Sequence, residues 1–481
     1  MTTTADTATG VFGSLLAAAP NTFRLHDEHG SHGATTIDRW AQQTTTALLR
    51  AGVVPGDRVV ATIGRTARDI ARLIGVQNSG AIVVPVDASA PERRRETIAS
   101  DCAARFAIGP DVVGSDIVRD LFPATGNETD VTPHAGSLMI YTSGSSGKPK
   151  GILCPRSAIE FAVDAIQSCL RYRPTDTIAQ PLPLTFDYGL YQVLLAMRSG
   201  ARVRMYPDGS TGPTFLGRLE RDEVTVLPTM PVLSDALIRV STRRHRTLGG
   251  IRLITSTGGA CSKDQLAGLR RLAPDAQVLP MYGLTECKRA TITTLGARGD
   301  ELGAGRPLPG TQIRIGSDET PSRGSSGEIH VGGPHVMAGY WPLHDRTLNR
   351  AFRTDSRGVP WVATGDTGRI DTEGVLHVEG RLDDIFKANG FRTSTSEVES
   401  ALMAVEGVTH ACVLAPSNNG AFAAAFVGSV AEHEVRTRLG DHLEAAKHPP
   451  TLIKLAAMPV NGNGKVDRNV VAHHIIDKGQ A

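Results

Sequence analysis

The residues most able to do chemistry lie in the stretch YTSGSSGKPKG, from Tyr141 to Gly151. Hydroxyls at Thr142, Ser143, Ser145 and Ser146 alternate with Gly144 and Gly147, and the cations Lys148 and Lys150 follow. Glycine lets backbone N–H groups turn toward an anion at close range, hydroxyls add donors and lysines add charge, a combination that suits a polyphosphate. The stretch departs from the pattern GxxxxGK[ST], because Lys148 is followed by Pro149 and the glycines are spaced differently. Its composition also fits a Gly/Ser surface loop. Downstream stand GGA (Gly258, Gly259, Ala260), MYGLTE at 281–286, TGD at 364–366, GRLDD at 380–384 and NGNGKVDR at 461–468. Taken singly, each has a bland reading. Tyr282 fits a core tyrosine at a strand end, Thr285 and Glu286 a helix start, Asp366 a turn and Lys465 an exposed lysine.

Such groups need a scaffold, and the apolar pattern supplies one. Residues 38–51 have helical spacing and end at Gly52, and an apolar strand follows at VVATIG. Helix DIARLIGVQNSGA precedes the buried strand IVVPVD, and helix PERRRETIASDCAA precedes RFAIG. After the glycine-rich loop come helix AIEFAVDAIQSCL, strand TIAQPLPL, helix YGLYQVLLAMRSG and strand ARVRMY, then VTVLP, IRLITST and AQVLPMYG. Alternation of this kind predicts α/β layers around parallel sheet. Around residues 305–380 short alternating segments joined by Gly, Asp and Pro predict a small β-rich, barrel-like subdomain. Helix and strand then alternate again, and a boundary is expected near Asp383. It divides a large domain, 1–382, from a small α+β domain, 383–481.

The 481 residues suggest two or more domains. A net charge of +2 gives no reason to expect a nucleic-acid surface. Six scattered cysteines without a CxxC pair argue against a disulfide framework or a zinc site and favour a reducing compartment. No basic-then-apolar leader opens the chain, and no apolar run reaches the roughly 18 residues of a membrane span, so a cytoplasmic protein is expected.

Together the clusters, with PGDRV near 55–59, GRPLPG at 305–310 and GEIHVGGPHVMAGYW at 327–341, resemble the superfamily of adenylate-forming enzymes. It includes acyl-CoA synthetases, adenylation domains of nonribosomal peptide synthesis and luciferases, and the resemblance covers almost the whole chain. It implies that ATP and Mg2+ are used. A substrate carboxylate attacks the α-phosphorus, pyrophosphate leaves, and an acyl-adenylate forms. By this resemblance the loop from Thr142 to Lys150 holds the β- and γ-phosphates. Tyr282 stacks on adenine, Gly258, Gly259 and Ala260 let backbone approach the purine, and Asp366 and Arg381 reach the ribose. Glu286 is the magnesium-linked carboxylate, Thr285 adds a hydroxyl near the α-phosphate, and Lys465 is the catalytic lysine. Asp383 matches the hinge between two orientations of the C-terminal domain. One brings in Lys465, and the other presents Lys387 to Arg392 to an attacking thiol. Two departures stand out: Arg156 near a position where many relatives carry histidine, and the run Thr393–Ser396.

By the same resemblance TFDYGLYQVLL forms one wall of the substrate pocket. Asp187 is open between two roles, a contact for a substrate ammonium and a cap of the helix that follows. Other wall positions are Tyr188, Tyr191, Met230, Thr257, Met281 and Arg289. Lys288 and Arg289 are expected to face outward, given how costly buried charge is. Should one point inward, the substrate would carry an extra anionic or polar group. The expected activity is adenylation of a small carboxylic acid, foremost an amino acid, and its transfer to the phosphopantetheine thiol of a separate carrier protein. The alternative is a coenzyme A ligase for a fatty or aryl acid.

Overall fold

The structure, a computed structural model, describes residues 10–109, 118–119, 137–143, 149–259, 261–293, 303–316, 325–388, 391–416, 422–461 and 465–479. Gly144, Ser145, Ser146, Gly147, Lys148 and Ala260 lie outside them, as do the side chains of Ser143, Asp383, Lys387 and Arg392. The chain forms two compact units, Met1–Ile313 with Val331–Val362, and Arg314–His330 with Ala363–Ala481. Residue 383 lies within the second of these.

Two large sheets build the first unit, the nine-stranded one mostly parallel and the seven-stranded one mixed. One runs in the order Arg306–Pro307, Thr291–Ile292, Gln277–Tyr282, Leu253–Ser256, Val226–Thr229, Thr177–Gln180, Arg202–Met205, Arg24–Asp27 and Gly30–Gly33. The other runs Gly339–Tyr340, Pro149–Cys154, Leu138–Ser143, Ile82–Asp87, Arg58–Ile63, Phe106–Ile108 and Val118–Arg119. Strand Ile82–Asp87 is buried along nearly its whole length, as a β-branched run covered on both faces must be. Helix Asp187–Ser199 is buried on almost every side and packs against helix Arg156–Leu170. It stops at Gly200, whose positive φ of 76° closes the last turn. Helix Ala67–Asn78 opens on a reciprocal cap between Thr66 and Asp69.

In the second unit Asp366–Ile370 pair antiparallel with Leu376–Arg381. A three-stranded sheet of Val408–Leu414, Ala423–Gly428 and Thr451–Lys454 packs against helix Thr395–Ala404. The α/β class and the β-rich stretch therefore agree with the sequence pattern. The closing helix Arg468–Gly479 does not follow from it, because its residues carry almost no helical apolar stripe. No helix among the described residues is long and apolar enough to cross a membrane.

Candidate active site

Two neighbouring strands of the seven-stranded sheet flank residues 144–148 in sequence. Leu138–Ser143 runs out, Pro149–Cys154 runs back, and Thr142 lies opposite Lys150. The Lys150 ammonium is 5.2 Å from the centre of the Tyr340 ring. Across from it, the Tyr340 hydroxyl donates to Glu286 Oε1 at 2.6 Å. Among the described residues no group of three or more His, Cys, Asp or Glu could hold a metal ion.

Tyr282 ends strand Gln277–Tyr282, half-buried, with Thr291 opposite. Gly258 follows strand Leu253–Ser256 with a φ of +85°, and a Cβ on Gly259 would stand 3.1 Å from the Pro231 ring. Thr257 and Met230 are buried nearby, the Thr257 N–H reaching the carbonyl of Thr229 at 3.4 Å.

Gly283–Arg289 form a tight loop that carries Thr285, Glu286, Lys288 and Arg289. A Cβ on Gly283 would collide with the Lys288 carbonyl and lie 2.8 Å from Arg289 Cα, so glycine is required there. Lys288 itself adopts a left-handed φ of 56°. The outcome corrects the expectation for the two cations. Lys288 is 1% exposed and Arg289 5% exposed, and both point inward. Arg289 Nη1 lies 3.7 Å from Asp187 Oδ2, with its guanidinium 4.6 Å over the Tyr188 ring. Lys288 Nζ donates to the Thr285 carbonyl at 3.2 Å and to Cys154 Sγ at 3.4 Å, and stands 5.8 Å from the Tyr191 ring. Burial raises the pKa of the Cys154 thiol, so it offers Lys288 no thiolate. The cost of burial is met by neutral acceptors, ring faces and one ion pair.

These side chains line a cavity of about 10 Å³ with Met281, Tyr188 and Tyr191. Tyr191 is 3% exposed, and among the described residues its hydroxyl has no hydrogen-bond partner. Asp187 is the first residue of its helix and is 2% exposed, and Phe186 holds the N-cap position before it. Arg156, at the position of the expected histidine, pairs with Glu160 at 2.8 Å and donates to Ser14 Oγ at 3.1 Å.

In the second unit Asp366 and Arg381 face each other across paired strands, Nη1 to Oδ1 3.5 Å, with Asp366 buried and Arg381 half exposed. Lys465 is exposed and bonded to Asn461. The Lys465 N–H donates to Asn461 Oδ1 at 3.1 Å, and the Asn461 N–H donates to the Lys465 carbonyl at 2.7 Å. Asp383 lies in the short turn Leu382–Asp384. Tyr340 is the contact of Glu286 that sequence reasoning misses. It stands within the GEIHVGGPHVMAGYW stretch, but nothing local ties it to Glu286, 54 positions away.

The sequence and fold also compare with known proteins. Residues 17–341 match the model of the AMP-binding enzyme family. The chain belongs to that family and is an adenylate-forming ligase by class. It is 28% identical over 480 residues to malpibaldin synthetase of Mortierella alpina, a match that takes in 92% of this chain and 8% of that protein. It spans less than half the length of each of the curated relatives compared. Among solved structures, VinN in complex with L-aspartate is 29% identical with a TM-score of 0.67, covering 78% of this chain and all of that one. ATP-bound MatB from Rhodopseudomonas palustris, 22% identical, shares the fold at a TM-score of 0.81, over 97% of this chain and 98% of that one.

Proposed function

We propose that this chain uses ATP and magnesium to adenylate an amino acid that carries a second carboxylate, and passes the acyl group to the phosphopantetheine thiol of a carrier protein. The observation that carries this reading is the buried group of Asp187, Arg289 and Lys288. Two cations and one carboxylate line one cavity, so the site holds a surplus positive charge. Burying an unpaired charge is costly, and a ligand that brings an anion relieves it. Asp187 supplies the carboxylate suited to a substrate ammonium, shared with or released from Arg289. The Tyr191 hydroxyl would donate to the second carboxylate beside Lys288. A relative of 29% identity in complex with L-aspartate supports the same substrate class.

On the nucleotide side Lys150 and the loop from Thr142 would receive the phosphates, and Glu286 would hold the magnesium. Tyr282 would take the adenine, and Asp366 with Arg381 the ribose. Lys465 would neutralise charge building on the α-phosphate and the attacking oxygen. Residues 383–481 would form the mobile domain, hinged at Asp383.

A second reading rests on the Asp187–Arg289 pair itself. If that pair stays closed, Lys288 alone is left, and a dicarboxylic acid without an amine would neutralise it, with coenzyme A as the thiol. Substrate-dependent ATP–pyrophosphate exchange separates the two. The panel is aspartate and other amino dicarboxylates, neutral amino acids, amine-free dicarboxylates, and fatty and aryl acids. Exchange with an amino dicarboxylate, lost in Asp187→Asn with folding retained, supports the first reading. Exchange with amine-free dicarboxylates alone, unchanged in Asp187→Asn, overturns it in favour of the second.

A further inference from the structure

Tyr340 touches two groups of the nucleotide side at once. Its hydroxyl donates to Glu286 Oε1 at 2.6 Å, and its ring carries Lys150 Nζ at 5.2 Å. The tyrosine is held from several directions. Its N–H donates to Asn349 Oδ1 at 2.6 Å, and its carbonyl accepts from Asn349 Nδ2 at 2.9 Å. The same amide nitrogen lies 3.2 Å from the Pro342 carbonyl. The ring packs edge-on against Phe352, centroids 5.3 Å apart, and the backbone pairs with Ile152 on the strand leaving the loop. The Met337 N–H donates to the Glu286 carbonyl at 2.9 Å, so the same segment also grips Glu286 by its backbone. Tyr340 is thus the fixed part, and the ends of the Glu286 and Lys150 side chains rest on it.

The chemistry of both contacts is neutral. A phenol orients a carboxylate without cancelling its charge, which remains for a cation. A ring face attracts an ammonium without supplying an anion that would compete with phosphate. An aspartate or arginine in the same place would have consumed one of the two charges.

We propose that Tyr340 is a positioning residue that sets the separation between the Glu286 carboxylate and the Lys150 ammonium, and so couples magnesium to phosphate binding. The proposal rests on the reading of Glu286 as the magnesium-facing carboxylate. Equilibrium binding of a fluorescent ATP analogue to the full chain, titrated with Mg2+ and repeated in chelator, tests it without turnover. Tyr340→Phe keeps the ring and loses the hydroxyl. It should raise the half-saturating Mg2+ roughly tenfold, the worth of one hydrogen bond to a charged group, and leave metal-free binding unchanged. Tyr340→Leu should also weaken metal-free binding, and Lys150→Met supplies that arm should the leucine variant fail to fold. Glu286→Gln should raise the Mg2+ requirement by itself, with Tyr340→Phe adding little on top of it, since the two act through one contact. An unchanged Mg2+ requirement in Tyr340→Phe, or a full additive effect on Glu286→Gln, overturns the positioning role. No Mg2+ effect in Glu286→Gln overturns the reading of Glu286 instead, whatever Tyr340 does.

Discussion

Lys288 illustrates how a residue can contradict its sequence context and still be explained by simple physics. A lysine followed by arginine is expected at a surface, because isolated buried charge is costly. Here the cost is shared among partners that the sequence does not display together. They are the Thr285 carbonyl, the neutral thiol of Cys154, the ring of Tyr191, and for Arg289 the carboxylate of Asp187. Asp187 and Arg289 are 102 positions apart, so only the fold could reveal the pair. A site built to bind an anion should also be stabilised by losing its surplus cation. Lys288→Met is therefore expected to leave the melting temperature of the free protein unchanged or raised, and to weaken amino dicarboxylate binding by about 10- to 100-fold. Thermal melts with and without substrate measure both. A destabilised free protein with an unchanged substrate-induced shift would make Lys288 a structural residue.

At the scale of elements, what was legible followed apolar periodicity. Strand Ile82–Asp87 and helix Asp187–Ser199 announce themselves through β-branched runs and dense apolar residues. The helix Arg468–Gly479 carries almost no helical apolar stripe and was not legible, and neither was the turn geometry that turns Lys288 inward. That geometry belongs to the loop Gly283–Arg289, which places Glu286 and the two cations from one short segment. The crossing at Gly283 is too close for a side chain. Gly283→Ala must push the Lys288 backbone aside, at a cost of about 1–3 kcal/mol for forced overpacking. Because Glu286 and Lys288 share the loop, magnesium-dependent ATP binding and substrate binding should weaken together in this variant. Calorimetry with each ligand alone would measure it. Weakening of one without the other would mean that the two ends of the loop move independently.

At the scale of the whole molecule, the residues given roles in the proposal fall in both units. Glu286, Lys150, Asp187 and Lys288 belong to the first, and Asp366, Arg381 and Lys465 to the second. The proposed chemistry has two steps with different needs. Adenylation needs a cation where negative charge grows on the α-phosphate, whereas thiol attack on a finished adenylate needs a thiol and a leaving AMP. A lysine that serves one step should not limit the other if the second unit presents different residues in each, as the hinge at Asp383 would allow. Lys465→Ala is thus expected to slow adenylate formation by about 10²- to 10³-fold, the usual effect of removing one electrostatic stabiliser. Release of acyl thioester from preformed acyl-adenylate should fall far less. Single-turnover assays of the two half-reactions, the second started with synthetic adenylate, measure each rate separately. An equal loss in both halves would mean that one fixed arrangement of the active site serves both steps. The role of Asp383 as a hinge would then fall with it.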